Sequence, residues 1–259
     1  MLQHLQLDHV AMCGRYVLRV VLKNFRRDFE LGFDVDDSDV PMEVRPRFNV
    51  APTHMVPVIR VVNGKRWLSL VRWGLIPHWA KEVKKPQINA RGETIFEKPM
   101  FRDAARRRRC LILADGFYEW KRDANDKPLQ AYFVSRADGK PFAMGGIWET
   151  WVGPDGEVID TVAIVTTLAN AEIVGIHDRM PVILDPRDYL TWIEADRVSV
   201  DEAKALIKPA PDGTLSPRPV SNRVNAVKND DASNLNPFDP SSVTPVAPRK
   251  GDPRQGDLF

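Results

Sequence analysis

Cys13 is the residue in this chain with the widest chemical reach. It follows a methionine in the run Met12-Cys13-Gly14-Arg15-Tyr16. A chain beginning at Cys13 would carry a free α-amine beside a thiol. An α-amine titrates near about 7.7–8.0, far below lysine, so part of it is neutral and nucleophilic at physiological pH. Such an amine condenses with an aldehyde to an imine, and the neighbouring sulfur closes a five-membered thiazolidine ring. On spacing alone the alternative stays open, a cysteine serving as a small buried hydrophobe.

Further groups sit in four short clusters. In Asn89-Ala90-Arg91-Gly92-Glu93, an extended backbone puts Asn89 and Arg91 on one face. An amide beside a guanidinium suits an oxyanion or a phosphate, although a turn with a surface arginine fits equally well. Asp115-Gly116-Phe117-Tyr118-Glu119-Trp120 follows the apolar run Cys110-Leu111-Ile112-Leu113-Ala114. If pairing runs unbroken through Gly116, Glu119 shares a face with Leu111, Leu113 and Phe117 at the core edge. Desolvation there raises a carboxyl toward the range of a general acid. The alternative is a glutamate paired with a core-edge arginine, or a strand bent outward at Gly116. In Gly175-Ile176-His177-Asp178-Arg179-Met180-Pro181, proline keeps Met180 out of helical geometry, so His177 and Arg179 fall in a loop. Histidine shuttles protons near neutrality and arginine binds phosphate; a capping or solvent-facing histidine is the plainer reading. Trp73 and Trp79 flank Gly74-Leu75-Ile76-Pro77-His78 and could stack on unpaired bases for about 1–3 kcal/mol each, with at least one of them expected in the core.

The elements that must position these groups are mostly short strands. Segments 56–62, 67–72, 110–114, 131–135, 142–148 and 161–166 are apolar or alternating, and several are bounded by Gly, Pro or Asp. Helical spacing is read over 16–29, over 170–176, from Asp185-Pro186 to about Glu194, and over 201–207. Strands without regular βαβ alternation predict an α+β fold: a single domain with a curled antiparallel or mixed sheet approaching a barrel, flanked by short helices.

Composition narrows the function classes. The 259 residues are 43% hydrophobic and 28% charged, ordinary for a globular protein. No apolar run approaches the roughly 20 residues of a spanning helix, and the first residues do not read as a secretory signal, so no membrane partner is expected. Two cysteines, Cys13 and Cys110, exclude a disulfide framework and a four-cysteine metal site and suit a reducing cytoplasm. The net charge of +2 hides an asymmetry. Residues 51–110 hold 14 Lys/Arg and four Asp/Glu, a local +10, leaving −8 elsewhere. That concentration points to a local anionic ligand or to a solvated basic face, and Arg106-Arg107-Arg108-Arg109 reads as a phosphate-facing or solvated turn.

Taken in order, Met12-Cys13-Gly14-Arg15-Tyr16, Trp73-Gly74-Leu75-Ile76-Pro77, Asn89-Ala90-Arg91, Gly116-Phe117-Tyr118-Glu119-Trp120, His177-Asp178-Arg179-Met180-Pro181 and the closing Val224-Asn225 with Val227-Lys228-Asn229-Asp230 resemble the SRAP family, the SOS response-associated peptidase domain of abasic-site processing proteins. The resemblance spans about residues 12–230. It implies binding of single-stranded DNA and a covalent thiazolidine link between an N-terminal cysteine and the ring-opened aldehyde of an abasic site. It assigns Cys13 as nucleophile, Asn89 as orienting its attack, Glu119 as acid/base in sugar ring opening or crosslink reversal, and His177 as proton-transfer partner at the imine. Arg15, Arg91 and Arg179 would face the DNA, the latter two at phosphates, with Trp73 and Trp120 near the bases. No cofactor or metal is implied, and the expected setting is a cytoplasmic monomer acting on damaged DNA in the nucleoid. Two other readings compete. One is a thiol (auto)peptidase with Cys13 as nucleophile, His177 as base and Glu119 as orienter. The other is a noncatalytic single-strand binder.

Three segments are expected. Residues 1–12 form a lead that is removed or precedes the true start, since the family's cysteine follows the initiator. Residues 13–228 form the SRAP-like domain. Residues 229–259, rich in Pro, Asp and Ser, read as a disordered tail. The tail ends Gln255-Gly256-Asp257-Leu258-Phe259, similar to the short peptides that dock on the bacterial sliding clamp through Gln255, Leu258 and Phe259.

Overall fold

The computed structural model describes residues 14–19, 24–38, 40, 45–83, 85–123, 125 and 127–239. Cys13, the lead 1–12 and the clamp-like Gln255, Leu258 and Phe259 lie outside the described residues. In chain order the strands are β1 (Arg15–Leu18), β2 (Arg47–Val50), β3 (Met55–Val62), β4 (Lys65–Trp73), β5 (Asn89–Arg91), β6 (Arg109–Ala114), β7 (Gly116–Arg122), β8 (Pro128–Arg136), β9 (Phe142–Val152), β10 (Val158–Leu168), β11 (Arg179–Pro181), β12 (Ile183–Leu184) and β13 (Leu215–Pro219). The helices are short: α1 (Phe25–Asp28), α2 (Arg102–Arg107), α3 (Tyr189–Ile193) and α4 (Val200–Ala205).

Five strands close on themselves. β10 pairs in parallel with β4, then β4 with β3, β3 with β6, β6 with β9 and β9 again with β10, all antiparallel. The expected curled mixed sheet is thus a closed five-stranded barrel within an α+β domain. β6 is buried along its whole length, which explains its unbroken apolar run. Asn63-Gly64, both at positive φ (51° and 75°), turn β3 into β4 as the tight hairpin such a pair favours. A second sheet, ordered β13-β8-β7-β1-β2, lies against the barrel. The chain passes from barrel to second sheet at Asp115, between β6 and β7, where the Asp115 N–H donates to the Val17 carbonyl at 2.8 Å.

Gly116 makes that crossing possible. A Cβ there would lie 2.5 Å from the Phe133 ring and 2.6 Å from the Val134 carbonyl oxygen, so only glycine lets β7 and β8 approach this closely.

Three sequence expectations change. The helix read over 16–29 is β1 followed, after four undescribed residues, by the single turn of α1. Of the residues whose spacing suggested a helix, Val17 sits in β1, paired with Gly116 of β7, while Phe25 opens α1. Segment 170–176 is a series of turns, closed by N–H groups of Ile173, Val174 and His177. Finally, residues 229–239, placed in the tail by composition, fold onto the body. The Asp230 carboxylate accepts from the N–H groups of Phe48 (2.6 Å) and Asn49 (2.8 Å), and Asn234 is fully buried. Polar side chains rather than apolar periodicity hold this stretch, so the usual pattern did not reveal it.

Candidate functional site

Beyond the barrel, β10 continues as the centre of a small three-stranded extension. On one side it pairs with β5, setting Ile164 against Asn89 and Thr166 against Arg91; on the other it pairs with β11, setting Leu168 against Arg179. Backbone pairing alone therefore brings Asn89, Arg91 and Arg179 together, although they span 90 residues of sequence. His177 lies two residues before β11. Gly74, at φ +128° with its N–H on the Val162 carbonyl, turns the chain off β4 here, and a Cβ would meet Pro86 at 2.9 Å.

Glu119 comes from the second sheet. β1 and β7 are paired as Arg15↔Tyr118, Tyr16↔Phe117 and Val17↔Gly116. Tyr16 and Phe117 belong to the main core shared with the barrel, whereas Val17 and Tyr118 belong to a smaller cluster on the opposite face. Alternation puts Glu119 on the barrel-facing side with Phe117, and it is 2% exposed. Two contacts tie the sheets at this seam. Tyr16 meets Trp73 edge-to-face at 5.5 Å, and the Trp73 indole N–H donates to the carbonyl of Ile88, next to Asn89, at 2.9 Å. Arg122, three residues beyond Glu119, is close enough to influence the charge of His177.

Trp73 is thus a correction to the expected base-contacting role. It is 1% exposed and serves as the packed floor joining the two sheets. Trp120 lies on the far face with Arg15, against the smaller cluster. Its indole N–H donates to Asn225 Oδ1 at 2.8 Å, so it is tied to the chain's closing segment. Arg15 donates to Asn49 Oδ1 (3.1 Å) and to the carbonyls of Val224 (2.8 Å) and Asn225 (3.4 Å). The half-exposed tryptophan is Trp79, which lines a groove of about 350 Å³ with Ile76, Pro77, Lys81, Lys85 and Met100. Its loop is moored by Trp151, whose indole donates to the Ala80 carbonyl at 2.7 Å, and by His78, 3.1 Å from the Glu149 carboxylate.

The basic segment also reads differently in three dimensions. Arg60 pairs with Asp160, Arg66 with Glu194 and Arg108 with Glu149. Arg109 is buried, donating to the carbonyls of Trp192 (2.6 Å) and Ala105 (3.0 Å), and burial pushes its pKa down to about 10. The arginine turn expected to face solvent or phosphate is therefore partly internal, because side-chain length lets guanidinium groups cap interior carbonyls. Lys81, Lys85, Arg91, Lys98 and Arg107 remain exposed. Cys110 is buried, and burial raises its thiol pKa far from the reactive range, as befits a structural cysteine.

His177 rests as a neutral ring. The Arg179 N–H donates to His177 Nδ1 at 3.1 Å, and the Asp178 carboxylate lies 2.9 Å from the same nitrogen. Nδ1 cannot both accept from the backbone and donate to Asp178. Burial lowers the imidazole pKa below its ordinary value and outweighs Asp178; accepting from Arg179 N–H requires the proton on Nε2, whereas the Asp178 contact requires it on Nδ1. His54 is similar: its Nδ1 accepts from Ala51 N–H and lies 2.9 Å from Arg47 Nη2, with burial and Arg47 lowering its pKa.

Both histidines therefore bind protons more readily when unfolded. As pH falls through the unfolded value of about 6.5 toward their folded values, the unfolded chain takes up more protons and stability drops. Urea midpoints are expected to be level from pH 8 to 7 and to decline between pH 6.5 and 5. A flat profile over that window would contradict the two neutral rings.

Among the described residues no cluster of three or more His, Cys, Asp or Glu forms a metal-binding group, and no helix is long and apolar enough to cross a membrane. Fold and seam together define a class: a single-domain protein with a closed mixed barrel and a second sheet packed on it. Residues 12–227 match the model of the SOS response associated peptidase (SRAP) family, and the chain belongs to that family.

Its relatives span the domain. The chain is 37% identical over 222 residues to the abasic site processing protein YoqW of Bacillus subtilis, covering 84% of this chain and 96% of that one. Against YedK of Escherichia coli, also named an abasic site processing protein, identity is 34% over 232 residues, 87% and 100% of the two chains. Against HMCES of Mus musculus, likewise so named, it is 31% over 238 residues, 77% and 67%. A crystal structure of a Bacteroides thetaiotaomicron protein is similar with a TM-score of 0.76 at 25% identity, over 87% of this chain and 100% of that one.

Proposed function

We propose that the protein processes abasic sites in single-stranded DNA by forming a thiazolidine between Cys13 and the lesion's aldehyde. The observation that carries this reading is the seam itself. β1 runs out through Gly14 beside β7, where continuing the register sets Gly14 opposite Glu119, and the Tyr16–Trp73–Ile88 chain joins this edge to Asn89. The residue before Gly14 is one peptide away, about 3.8 Å between Cα atoms.

The steps balance without a co-reactant. The neutral α-amine of Cys13 adds to the open-chain aldehyde, water leaves, and an imine forms. The thiol sulfur then bonds to the imine carbon while its proton passes to nitrogen, closing the ring. Glu119 serves as acid/base for ring opening of the sugar and departure of water, Asn89 orients the attacking amine, and neutral His177 exchanges a proton at the imine nitrogen. Arg91 and other exposed basic groups supply phosphate neutralisation. The α-amine must be free, so residues 1–12 must be absent from the reacting form.

Protein beginning at Cys13, incubated with single-stranded DNA carrying one abasic site, is expected to give a denaturation-resistant adduct that Cys13→Ala loses completely. Peptide turnover without an adduct would instead establish a thiol peptidase, and salt-sensitive binding alone a noncatalytic binder. Retention of Met1 in crosslinking protein, read by intact mass, would overturn the assignment of Cys13.

The C-terminal Gln255-Gly256-Asp257-Leu258-Phe259 is proposed as a tether to the sliding clamp, with Leu258 and Phe259 filling an apolar pocket. Clamp pull-down is expected to fail for Leu258→Ala/Phe259→Ala, and equal recovery of the double variant would refute the tether.

A further inference from the structure

Arg179 was expected at a DNA phosphate, yet its guanidinium is already engaged. Its Nη1 donates to Glu93 Oε1 at 2.9 Å and its Nη2 to Glu93 Oε2 at 2.7 Å, a two-pronged carboxylate pair. The same Nη2 donates to the Thr166 carbonyl at 2.9 Å. Its Nε–H is buried and finds no acceptor among the described residues. The arginine side chain is 7% exposed, whereas Glu93 is 46% exposed. The two partners therefore differ in freedom: Arg179 is fixed to β10, and Glu93 has solvent to swing into.

Register adds the second half of the picture. Arg91 of β5 is paired with Thr166 of β10, and Thr166 is also the residue whose carbonyl holds Arg179. Arg91 is exposed and acts electrostatically on Glu93. Glu93 is thus bonded to Arg179 on β11, while Arg91 on β5, across β10, adds a second positive charge near it.

We infer that Glu93 is a displaceable latch that occupies the Arg179 fork in the free protein and yields it to a phosphate of bound single-stranded DNA. This rests on the single-strand reading proposed above and deepens it. The latch makes the site selective. A lone phosphate gains too little from Arg91 to expel a two-pronged carboxylate, whereas a strand held by several basic groups presents its phosphate at high effective concentration. Once Glu93 turns out, Arg179 offers a fixed, desolvated fork at no reorganisation cost to itself.

The test uses full-length protein and unmodified single-stranded DNA, so no covalent step enters. Each phosphate contact on a single strand contributes about 0.7 to the slope of log K against log salt. Wild type forms the Arg179 contact only by giving up an ion pair, so its slope understates the contact. Glu93→Gln is expected to bind about three- to tenfold tighter at low salt and to steepen the slope by up to about 0.7. Glu93→Asp keeps the charge but reaches less far, and is expected to fall between wild type and Glu93→Gln. Glu97→Gln removes an equal charge four residues away and is expected to leave the slope at the wild-type value. Melting curves confirm that each variant is folded. Slopes of Glu93→Gln and Glu93→Asp equal to wild type would overturn the latch, as would an equal steepening in Glu97→Gln. Absence of wild-type binding would instead overturn the single-strand reading, and the latch with it.

Discussion

Glu119→Gln is expected to slow adduct formation by about 10²–10⁴-fold, the range by which a positioned acid/base accelerates a proton-transfer step. The substitution keeps the shape of the side chain, which matters at a position only 2% exposed on the barrel-facing side of β7. It removes the capacity to take and return a proton. Both steps that need that capacity, opening of the sugar hemiacetal and loss of water, precede the ring closure that makes the adduct durable. Binding of undamaged single-stranded DNA should stay within about twofold of wild type, because a buried carboxylate contributes little to phosphate affinity. Single-turnover crosslinking at saturating DNA, with a melting curve on the same preparation, separates the two outcomes. A rate within threefold of wild type would make Glu119 a structural carboxylate and move the acid/base role to His177.

Asn49→Ala is expected to be the most destabilising single truncation near the site. Asn49 is fully buried. Its amide N–H groups reach the carbonyls of Val224 (3.1 Å), Ala226 (3.1 Å) and Asn229 (2.8 Å), while its Oδ1 accepts from Arg15 at 3.1 Å. Beside it Asp230 accepts from the N–H groups of Phe48 and Asn49 and pairs with Arg47. Burial alone would raise the Asp230 carboxyl, but Arg47 and these N–H groups outweigh it and hold its pKa below the ordinary value. Alanine leaves the Ala226 carbonyl without its side-chain donor. It also removes one of several bonds from the Val224 and Asn229 carbonyls and from Arg15, which keep their bonds to Arg15, to Asn234 and to the Val224 and Asn225 carbonyls respectively. A fully unmet group costs about 1–3 kcal/mol before relaxation and water entry, and the emptied side-chain volume adds to it. A net loss of roughly 3–5 kcal/mol lowers Tm by roughly 6–20 °C in a domain of this size. Asn222→Ala, on the exposed side of the same segment, should shift Tm by no more than about 2 °C. Equal shifts in both variants would remove Asn49 from its central place.

The extent to which the sequence was legible follows from the range over which each signal acts. The strands β3, β4, β6, β9 and β10 announced themselves because period-two alternation and unbroken apolar runs are local consequences of burial. β1 misleads, since Val17, Val20, Val21, Phe25 and Phe29 satisfy helical spacing, while Arg15–Leu18 pairs with β2 and β7 as a strand. The folded stretch 229–239 was missed because it is held by Asp230, Asn234 and backbone bonds rather than by apolar periodicity.

By itself the sequence determined the residue types of the site, the mixed α+β character, and the family to which the ordered motifs point. It could not determine which member of each motif faces the site, because that depends on partners far along the chain. Trp73 and Trp79 are six residues apart in one motif, yet one is the packed floor at the seam and the other lines an open groove. Arg109 belongs to a run of four arginines, yet it caps carbonyls inside the protein. Arg179 was read as a phosphate ligand, and the fold gives its fork to Glu93, 86 residues away. The physical reason is common to all three. A side chain's type sets what it can bond, but closure of the barrel and the pairing of β5, β10 and β11 set which partner arrives first.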